Sequence, residues 1–301
     1  MKSQTAILTL FVLTIGVLGK SVPAQNAAFE TFGIKKLAFE SGPGSFFAPH
    51  EDIFVLDSLK AKPRHLAIGT AAVWSPDGKR IAYCAHEGWG TKHIVFGQMQ
   101  LINADGSGNA VLTSEPGGAC PIEWSADGKR IAFSSGSGGG VLVLDEAARV
   151  TSVLRKAVGL SSPDGSKLAF SKYRESRQST GSIWVAHADG ANPRKVIDDN
   201  SEVIWLCWSP DGESIVFSSR RENKERSEIF RVKLDGSGLE TLAADKKMSF
   251  VRPSISPDGK YLVVTAYAGS GEGSILLLDL ANHTRILLAH GEHASIAWEK
   301  R

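Results

Sequence analysis

Apolar and polar residues alternate in short runs along most of the chain, and each run is followed by a turn. In residues 74–83, a Trp is followed by Ser-Pro-Asp-Gly and then by an apolar run of the Ile-Ala-Tyr type. Short apolar runs bounded by Gly, Pro, Asp and Ser predict β-strands joined by tight turns. The pattern therefore predicts an all-β protein.

The unit that contains Trp74 recurs at intervals along the chain. The equivalent positions, 37 to 50 residues apart, are Trp74, Trp124, Ser161, Trp208, Ile255 and Trp298. Repeats of this length are typical of propeller blades. A second turn, of the Asp-Gly-Ser-Gly type, occurs at residues 105–108 and 235–238 and precedes a short fourth strand. Four short strands in each unit is the composition of a propeller blade.

The Ser-Pro-Asp-Gly segment has the composition of a hairpin turn. Pro favours the first central position of a type I turn, Asp bonds to nearby backbone groups, and Gly takes the position with φ > 0. The same Asp in five copies of one turn indicates a structural role rather than catalysis. These residues are Asp77, Asp127, Asp164, Asp211 and Asp258.

The two ends of the chain complement each other. After Trp298 only three residues remain, so the last unit lacks three strands, and residues 34–41, 52–57 and 64–67 match the missing ones. An open ring would leave unpaired strand edges. We therefore predict a six-bladed β-propeller with four antiparallel strands per blade, closed by N-terminal strands that pair with the C-terminal strand.

The first residues have the pattern of a secretory signal. Lys2 precedes an apolar stretch at residues 6–18, and small residues occupy the −3 and −1 positions before a predicted cleavage point after Ala24. An uncleaved anchor is the alternative, but about 13 apolar residues fall short of the ~20 that span a bilayer. We expect residues 1–24 to be a signal peptide and residues 25–301 to form a single propeller domain without a transmembrane segment. We therefore expect the protein to be periplasmic or secreted.

The net charge limits the classes of partner that the protein could attract. The net charge of the 301 residues is +2, so there is no strong field to attract nucleic acid, and we expect a monomer.

Cys84, Cys120 and Cys207 lie in apolar strand contexts, and their spacing matches no metal motif. We interpret them as buried structural thiols. A disulfide between Cys84 and Cys120 is an alternative that the sequence leaves open.

The Trp-Ser-Pro-Asp-Gly repeats with Asp-Gly-Ser-Gly turns resemble those of TolB-type propellers over residues 30–301. The resemblance implies a binding scaffold in the cell envelope with a protein or peptide partner. TolB itself also carries an N-terminal α/β domain, whereas the mature chain here is expected to begin in a blade. Prolyl-oligopeptidase relatives add a serine hydrolase domain, but this sequence has no Gly-x-Ser-x-Gly nucleophile motif. We predict no catalytic residue.

A partner site is expected in the loops opposite the Ser-Pro-Asp-Gly turns. Aromatic side chains there could form an interface, and arginines could receive an acidic ligand or a peptide carboxylate. Packing between blades and solvated loop charges are the simpler interpretations of the same residues. The candidate partner-binding residues are Trp89, Tyr173, Arg174, Arg220, Tyr267 and Arg252.

Histidines in the same loops raise a second possibility. Four of them, His50, His86, His290 and His293, could converge near one end of the ring and bind a divalent metal. Lyases that degrade oligogalacturonate are similar in repeat type and hold a metal with propeller histidines. The alternative function is therefore a metal-assisted lyase or hydrolase of sugar or another small substrate at the channel mouth. Scattered surface histidines are the simpler interpretation.

Overall fold

A computed structural model of the chain describes residues 29–41, 52–85, 97–113, 118–135, 138–145, 147–154, 159–172, 181–198, 202–221, 225–269 and 273–299. These residues form β-strands and one short 3-10 helix, Phe29–Phe32. The predicted signal peptide, residues 1–24, lies outside the described residues. Within the described ranges, no helix is long and apolar enough to cross a membrane.

The strands in chain order are β1 (Ile34–Ser41), β2 (Asp52–Leu56), β3 (Arg64–Trp74), β4 (Arg80–Ala85), β5 (Gln98–Asn103), β6 (Ala110–Thr113), β7 (Ala119–Trp124), β8 (Arg130–Ser135), β9 (Gly138–Leu144), β10 (Val150–Leu154), β11 (Leu160–Ser161), β12 (Lys167–Lys172), β13 (Ser182–His187), β14 (Arg194–Asp198), β15 (Glu202–Trp208), β16 (Ser214–Arg220), β17 (Glu228–Lys233), β18 (Glu240–Ala243), β19 (Ser249–Ile255), β20 (Tyr261–Tyr267), β21 (Ser274–Asp279), β22 (Arg285–His290) and β23 (Glu292–Trp298).

Four sheets have the architecture of propeller blades. They contain β7 to β10, β11 to β14, β15 to β18 and β19 to β22, and in each one neighbouring strands are consecutive in the chain and antiparallel. This is the four-stranded meander that a propeller repeats around its channel. The all-β propeller predicted from the repeats is therefore present.

The remaining strands form one seven-stranded sheet in the order β23-β1-β2-β3-β4-β5-β6. Strand β3 belongs to both halves of it, because Arg64 to Ile68 pair with β2 while Gly69 to Trp74 pair with β4. The six separate sheets predicted from the repeats are therefore seen as four blades and this larger sheet. The reason is that β3 continues through the junction without a break.

Gly69 stands where β3 changes partner. Its φ is +155°, and a Cβ atom at this position would overlap the carbonyl oxygen of Cys84. Only glycine lets the backbone of β3 approach β4 this closely. The continuous strand therefore depends on a residue without a side chain.

The chain ends pair as predicted. Strand β1 is antiparallel to β23, with Ile34 opposite Trp298 and Leu37 opposite Ile296. The 3-10 helix adds Phe29 and Phe32, which pack in one buried cluster with Leu37 and with residues of the sheet that contains β19 to β22. Apolar burial of this kind contributes about 25 cal/mol per Å². The junction of the termini is therefore part of the core.

Tryptophans link neighbouring sheets. The indole Nε1 of Trp124 donates to the carbonyl oxygen of Val73 at 3.3 Å, and Nε1 of Trp208 donates to that of Leu160 at 2.8 Å. In the same way Trp298 donates to a side chain on β19, Oγ of Ser254, at 3.0 Å. Each bond joins a strand that lines the channel to the equivalent strand of the preceding repeat. Trp74, Trp124 and Trp208 are buried.

The repeated Asp closes the turn as expected. At the β15–β16 turn, the Ser209 hydroxyl donates to Asp211, and the Glu213 N–H donates to Asp211 Oδ1 at 2.9 Å. The Ser214 N–H donates to Ser209 Oγ at 2.9 Å. Hydrogen bonds from Ser209 and then from the Glu213 N–H hold the pKa of Asp211 below its usual value. These hydrogen bonds are therefore stronger when the Asp211 carboxylate is charged than when it is protonated.

We expect the variant Asp211→Asn to lose about 1 kcal/mol of folding stability at neutral pH, because a charged acceptor is replaced by a neutral one. The folded pKa of Asp211 is lowered, so its contribution is present above about pH 4 and is lost as the pH falls through the folded pKa. Urea unfolding at pH 7 and at pH 3 measures both effects. The control is Glu213→Gln, and an equal loss in both variants would contradict this role.

A disulfide joins two strands that line or flank the channel. Cys84 on β4 and Cys120 on β7 are bonded, with their Cα atoms 4.8 Å apart. The interpretation of these two residues as structural thiols was therefore wrong, and the alternative holds because adjacent sheets bring their strands together. Cys207 remains a free thiol.

We expect loss of this disulfide to lower stability by about 2–4 kcal/mol, since it closes a loop with a sequence separation of 36 residues in the unfolded chain. The measurement is urea unfolding of the wild type and of the double variant Cys84→Ser/Cys120→Ser. A reductant should reproduce the effect in the wild type and in Cys207→Ser, but not in the double variant. Equal unfolding midpoints for the wild type and the double variant, each with and without reductant, would contradict it.

Candidate functional site

The ends of the strands opposite the Ser-Pro-Asp-Gly turns bring several predicted site residues together. Strands β1 and β20 end there, and β23 begins there. A group of half-buried or buried side chains from different sheets meets at this end, and we call it the mouth cluster. It consists of Glu40, Trp205, Arg252, Tyr267, Glu292 and His293.

Glu40 connects three strands. Its Oε1 atom accepts the N–H of Ala71 on β3 at 2.6 Å, and its Oε2 atom lies 2.6 Å from Nδ1 of His293 on β23. The Glu40 residue is only 2% exposed, so both carboxylate oxygens are satisfied out of water. A buried carboxylate is tolerated when it is paired in this way.

Bulges in the strands that line the channel direct two of these side chains. The register shifts between Val251 and Ser254 on β19, and Arg252 within this bulge has a φ of +52°. His293, at the start of β23 beside another register shift, has a φ of +51°. A bulge turns a side chain away from the regular pleat, and a positive φ at a residue other than Gly costs of order 1 kcal/mol or more. The fold maintains this strain at the mouth cluster.

The ring of Trp205 lies near both strained residues. The guanidinium carbon of Arg252 is 4.8 Å from the centroid of its ring, a cation–π distance. The His293 ring is 6.5 Å away, tilted by 49°. The indole therefore holds the Arg252 guanidinium through a cation–π contact, with the His293 ring beside it.

Tyr267 and Glu292 complete the cluster. Burial, then the charge of Glu292 and the hydrogen bond to it, raise the pKa of Tyr267 above its usual range. The charge of Arg252 acts in the opposite direction, and that of Glu40 adds to the rise. Tyr267 is therefore a neutral hydrogen-bond donor. The site carries both positive and negative charges.

The structure brings together Arg252, Tyr267 and His293 among the predicted residues. Arg220 is exposed at the end of β16, and His290 is exposed at the end of β22, opposite Ser274. Within the described part of the chain, no group of three or more His, Cys, Asp or Glu side chains could hold a metal ion. The other predicted residues, His50, His86, Trp89, Tyr173 and Arg174, lie outside the described residues.

Sequence reasoning missed Glu40 and Trp205. Glu40 had a signal, because the equivalent second strands carry small residues at its position. These residues are Cys84, Ser134, Ser171, Ser218 and Thr265. An acidic residue in that series departs from the repeat and marks a special environment. Trp205 had no such signal, since a Trp in an apolar strand suggests core packing.

We expect Glu40→Gln to lower stability by about 1–3 kcal/mol. The carboxylate has two acceptor oxygens, one for Ala71 and one for His293, whereas the amide has one acceptor oxygen and would bury an NH2 donor in place of the other. Thermal or urea unfolding measures the loss. Asp52→Asn is the matched control, because it disrupts another carboxylate–histidine pair, with His65 at 2.9 Å, that is exposed. It should cost less than about 1 kcal/mol. Equal effects of the two changes would contradict the bridging role of Glu40.

Comparison with known proteins gives the same fold. Residues 159–297 match a family model described as the TolB beta propeller domain. No curated protein sequence matches the chain.

Several solved structures are similar to this chain in fold. TolB from Acinetobacter baumannii is similar with a TM-score of 0.66 and 19% identity, over 89% of this chain and 69% of that one. A protein proposed to be TolB from Agrobacterium tumefaciens has a TM-score of 0.59 and 20% identity, over 76% and 84% of the two chains. A chain of the nidogen/laminin complex has a TM-score of 0.60 and 12% identity, over 88% of this chain and 100% of that one. Structural similarity at these sequence identities shows that the chain has the propeller fold.

Proposed function

We propose that this protein is an exported, non-catalytic β-propeller scaffold that binds a protein or peptide in the cell envelope through the mouth cluster. The similarity of residues 159–297 to the TolB beta propeller domain supports this class of function. The signal pattern of residues 1–24 supports export. The disulfide between Cys84 and Cys120 fits an oxidising compartment outside the cytoplasm.

The observation that carries the proposal is the convergence of Trp205, Arg252 and Tyr267 at one end of the strands. Trp, Tyr and Arg are the residue types most enriched at interface hot spots. Each is half-buried and held by a neighbour within the cluster, which lowers the entropy lost when a partner binds. A held, partly exposed aromatic and cationic group is suited to recognition.

The charges of the mouth cluster favour a peptide segment over a simple anion as the ligand. Arg252 was predicted to receive an acidic ligand, but its charge lies near the carboxylates of Glu292 and Glu40, which act on the same tyrosine. A simple anion would meet these carboxylates as well as the arginine. A peptide segment offers donors, acceptors and charges of both signs, and so it complements the cluster better.

The solved relatives include a chain taken from a protein complex, that of nidogen and laminin. This supports protein binding by a chain of this shape. The two TolB structures support a role in the envelope by analogy of fold, which is weaker support than a shared site.

We also propose that the propeller has six blades. Counting β23, β1, β2 and the first half of β3 as one blade, and the second half of β3 with β4, β5 and β6 as another, adds two blades to the four separate sheets. Each half then has the four strands of a regular blade. The mouth cluster would lie at one opening of the resulting channel.

We expect Trp205→Ala and Arg252→Ala each to weaken partner capture from an envelope extract at least about tenfold, since hot-spot truncations cost 2 kcal/mol or more. Quantitative pull-down with the immobilised mature protein measures this. Arg149→Ala, at an exposed residue beside the hairpin between β9 and β10, is the control. All variants should unfold cooperatively. A partner captured equally by wild type, the control and both mouth variants would refute the proposed face.

A further inference from the structure

A groove runs between the seven-stranded sheet and the neighbouring sheet of β7 to β10. It has a volume of about 520 Å³, and β5, β6 and the turn between β9 and β10 line it. Arg80, the first residue of β4, also lines the groove and lies just after a Ser-Pro-Asp-Gly turn. The groove is therefore at the opposite end of the strands from the mouth cluster, and the two share no residue.

Arginines cross between repeats at two other junctions of the fold. Arg64, the first residue of β3, donates from Nη2 to the carbonyl oxygen of Ala104, which follows β5 in the next repeat. Arg194, the first residue of β14, donates from Nη1 to the carbonyl oxygen of Leu234, which follows β17, at 2.9 Å. Each arginine therefore crosses from the outer strand of one repeat to the adjoining turn of the next.

Ala110 takes the place of this arginine at the groove. It is the first residue of β6 and pairs with Leu101 on β5, as Arg194 pairs with Val185 on β13. A methyl group cannot extend across the junction as the arginines do. The space that an arginine would occupy is therefore left open, and Ala110 is one of the residues that line it.

The base of the groove is apolar. Leu101 is buried, and it packs in one hydrophobic cluster with the partly buried Leu112 and Val150. Val111, which also lines the groove, is 51% exposed. Burial of such surface by a ligand contributes about 25 cal/mol per Å². The groove therefore favours a ligand with an aliphatic part.

Two arginines give the groove a positive charge. The guanidinium carbon of Arg80 is 5.8 Å from the centroid of the Trp124 ring, a cation–π distance that holds it over the neighbouring sheet. Arg149 is exposed, and its backbone N–H is held in the turn between β9 and β10 by a hydrogen bond of 2.8 Å to Asp145. None of the described residues that line the groove is acidic. The groove therefore favours an anionic group.

We propose that the groove binds a small carboxylate that carries an aliphatic chain. The carboxylate accepts from the guanidiniums of Arg80 and Arg149, and charge-assisted hydrogen bonds of this kind are stronger than neutral ones. The chain lies against Leu101, Leu112 and Val150. A volume of about 520 Å³ is in the range of small-molecule sites, which is roughly 300–1,000 Å³. The volume thus suits a free carboxylate, which binds independently of a partner at the mouth cluster.

The test is isothermal titration calorimetry of the full chain with sodium octanoate as the probe. We expect one octanoate to bind per chain. Acetate has the charge without the chain, and octyltrimethylammonium has the chain with the opposite charge. Both should bind at least about tenfold more weakly than octanoate, because each lacks one of the two contributions.

Variants of the groove make the assignment specific. Arg80→Gln and Arg149→Ala should each weaken octanoate binding at least about threefold, since each removes donors of charge-assisted hydrogen bonds. Ala110→Arg restores the side chain found at the other junctions, and it should abolish octanoate binding without lowering the thermal unfolding midpoint. The control is Arg231→Gln, at an arginine whose Nη2 already pairs with Oε2 of Glu240 at 2.7 Å, and it should bind octanoate like the wild type.

The proposal is overturned if the wild type does not bind octanoate, or if it binds acetate or octyltrimethylammonium as tightly. It is also overturned if neither arginine variant weakens binding, or if Ala110→Arg binds octanoate as tightly as the wild type. Arg149→Ala should still capture the partner, because the groove and the mouth cluster lie at opposite ends of the strands. Failure of the wild type to capture any partner, with octanoate binding intact, would affect only the proposed function.

Discussion

Pairing between the two ends of the chain is the constraint on which the rest of the structure depends. The antiparallel ladder between β1 and β23 removes two strand edges that would otherwise be exposed, and the aromatic residues of the 3-10 helix seal it against the next sheet. Repeat architectures need such closure because each unit buries its faces only against its neighbours. The chain therefore gains its core only when residues far apart in sequence meet.

The candidate site is built on this closure. Glu40 belongs to the first strand, Ala71 to the strand that continues into the next repeat, and His293 to the last strand. A single buried carboxylate thus joins the beginning, the following repeat and the end of the chain. The positive φ values of Arg252 and His293 add local strain that closure must offset. The buried pair and the strained residues consequently lie at the same end of the strands.

Regular repeats and departures from them have different roles in this protein. The Ser-Asp turns and the tryptophan hydrogen bonds recur from sheet to sheet, and they set the spacing of the strands around the channel. Glu40 occupies a position where the equivalent strands carry small residues. It is a buried carboxyl group that joins three strands of the seven-stranded sheet. A regular scaffold can accommodate such residues because its repeated bonds supply the stability that they reduce.

The sequence by itself determined the strands, the turns, the repeat and the joining of the termini, because these follow from local turn chemistry and from a pattern copied along the chain. It also placed Arg252, Tyr267 and His293 in loops or strand ends of one face. Only the tertiary structure decided that Trp205 holds Arg252, that Glu40 holds His293, and that Cys84 bonds to Cys120. Those contacts join residues far apart in the chain, and their distances depend on bulges and on the junction at Gly69 that no local pattern specifies.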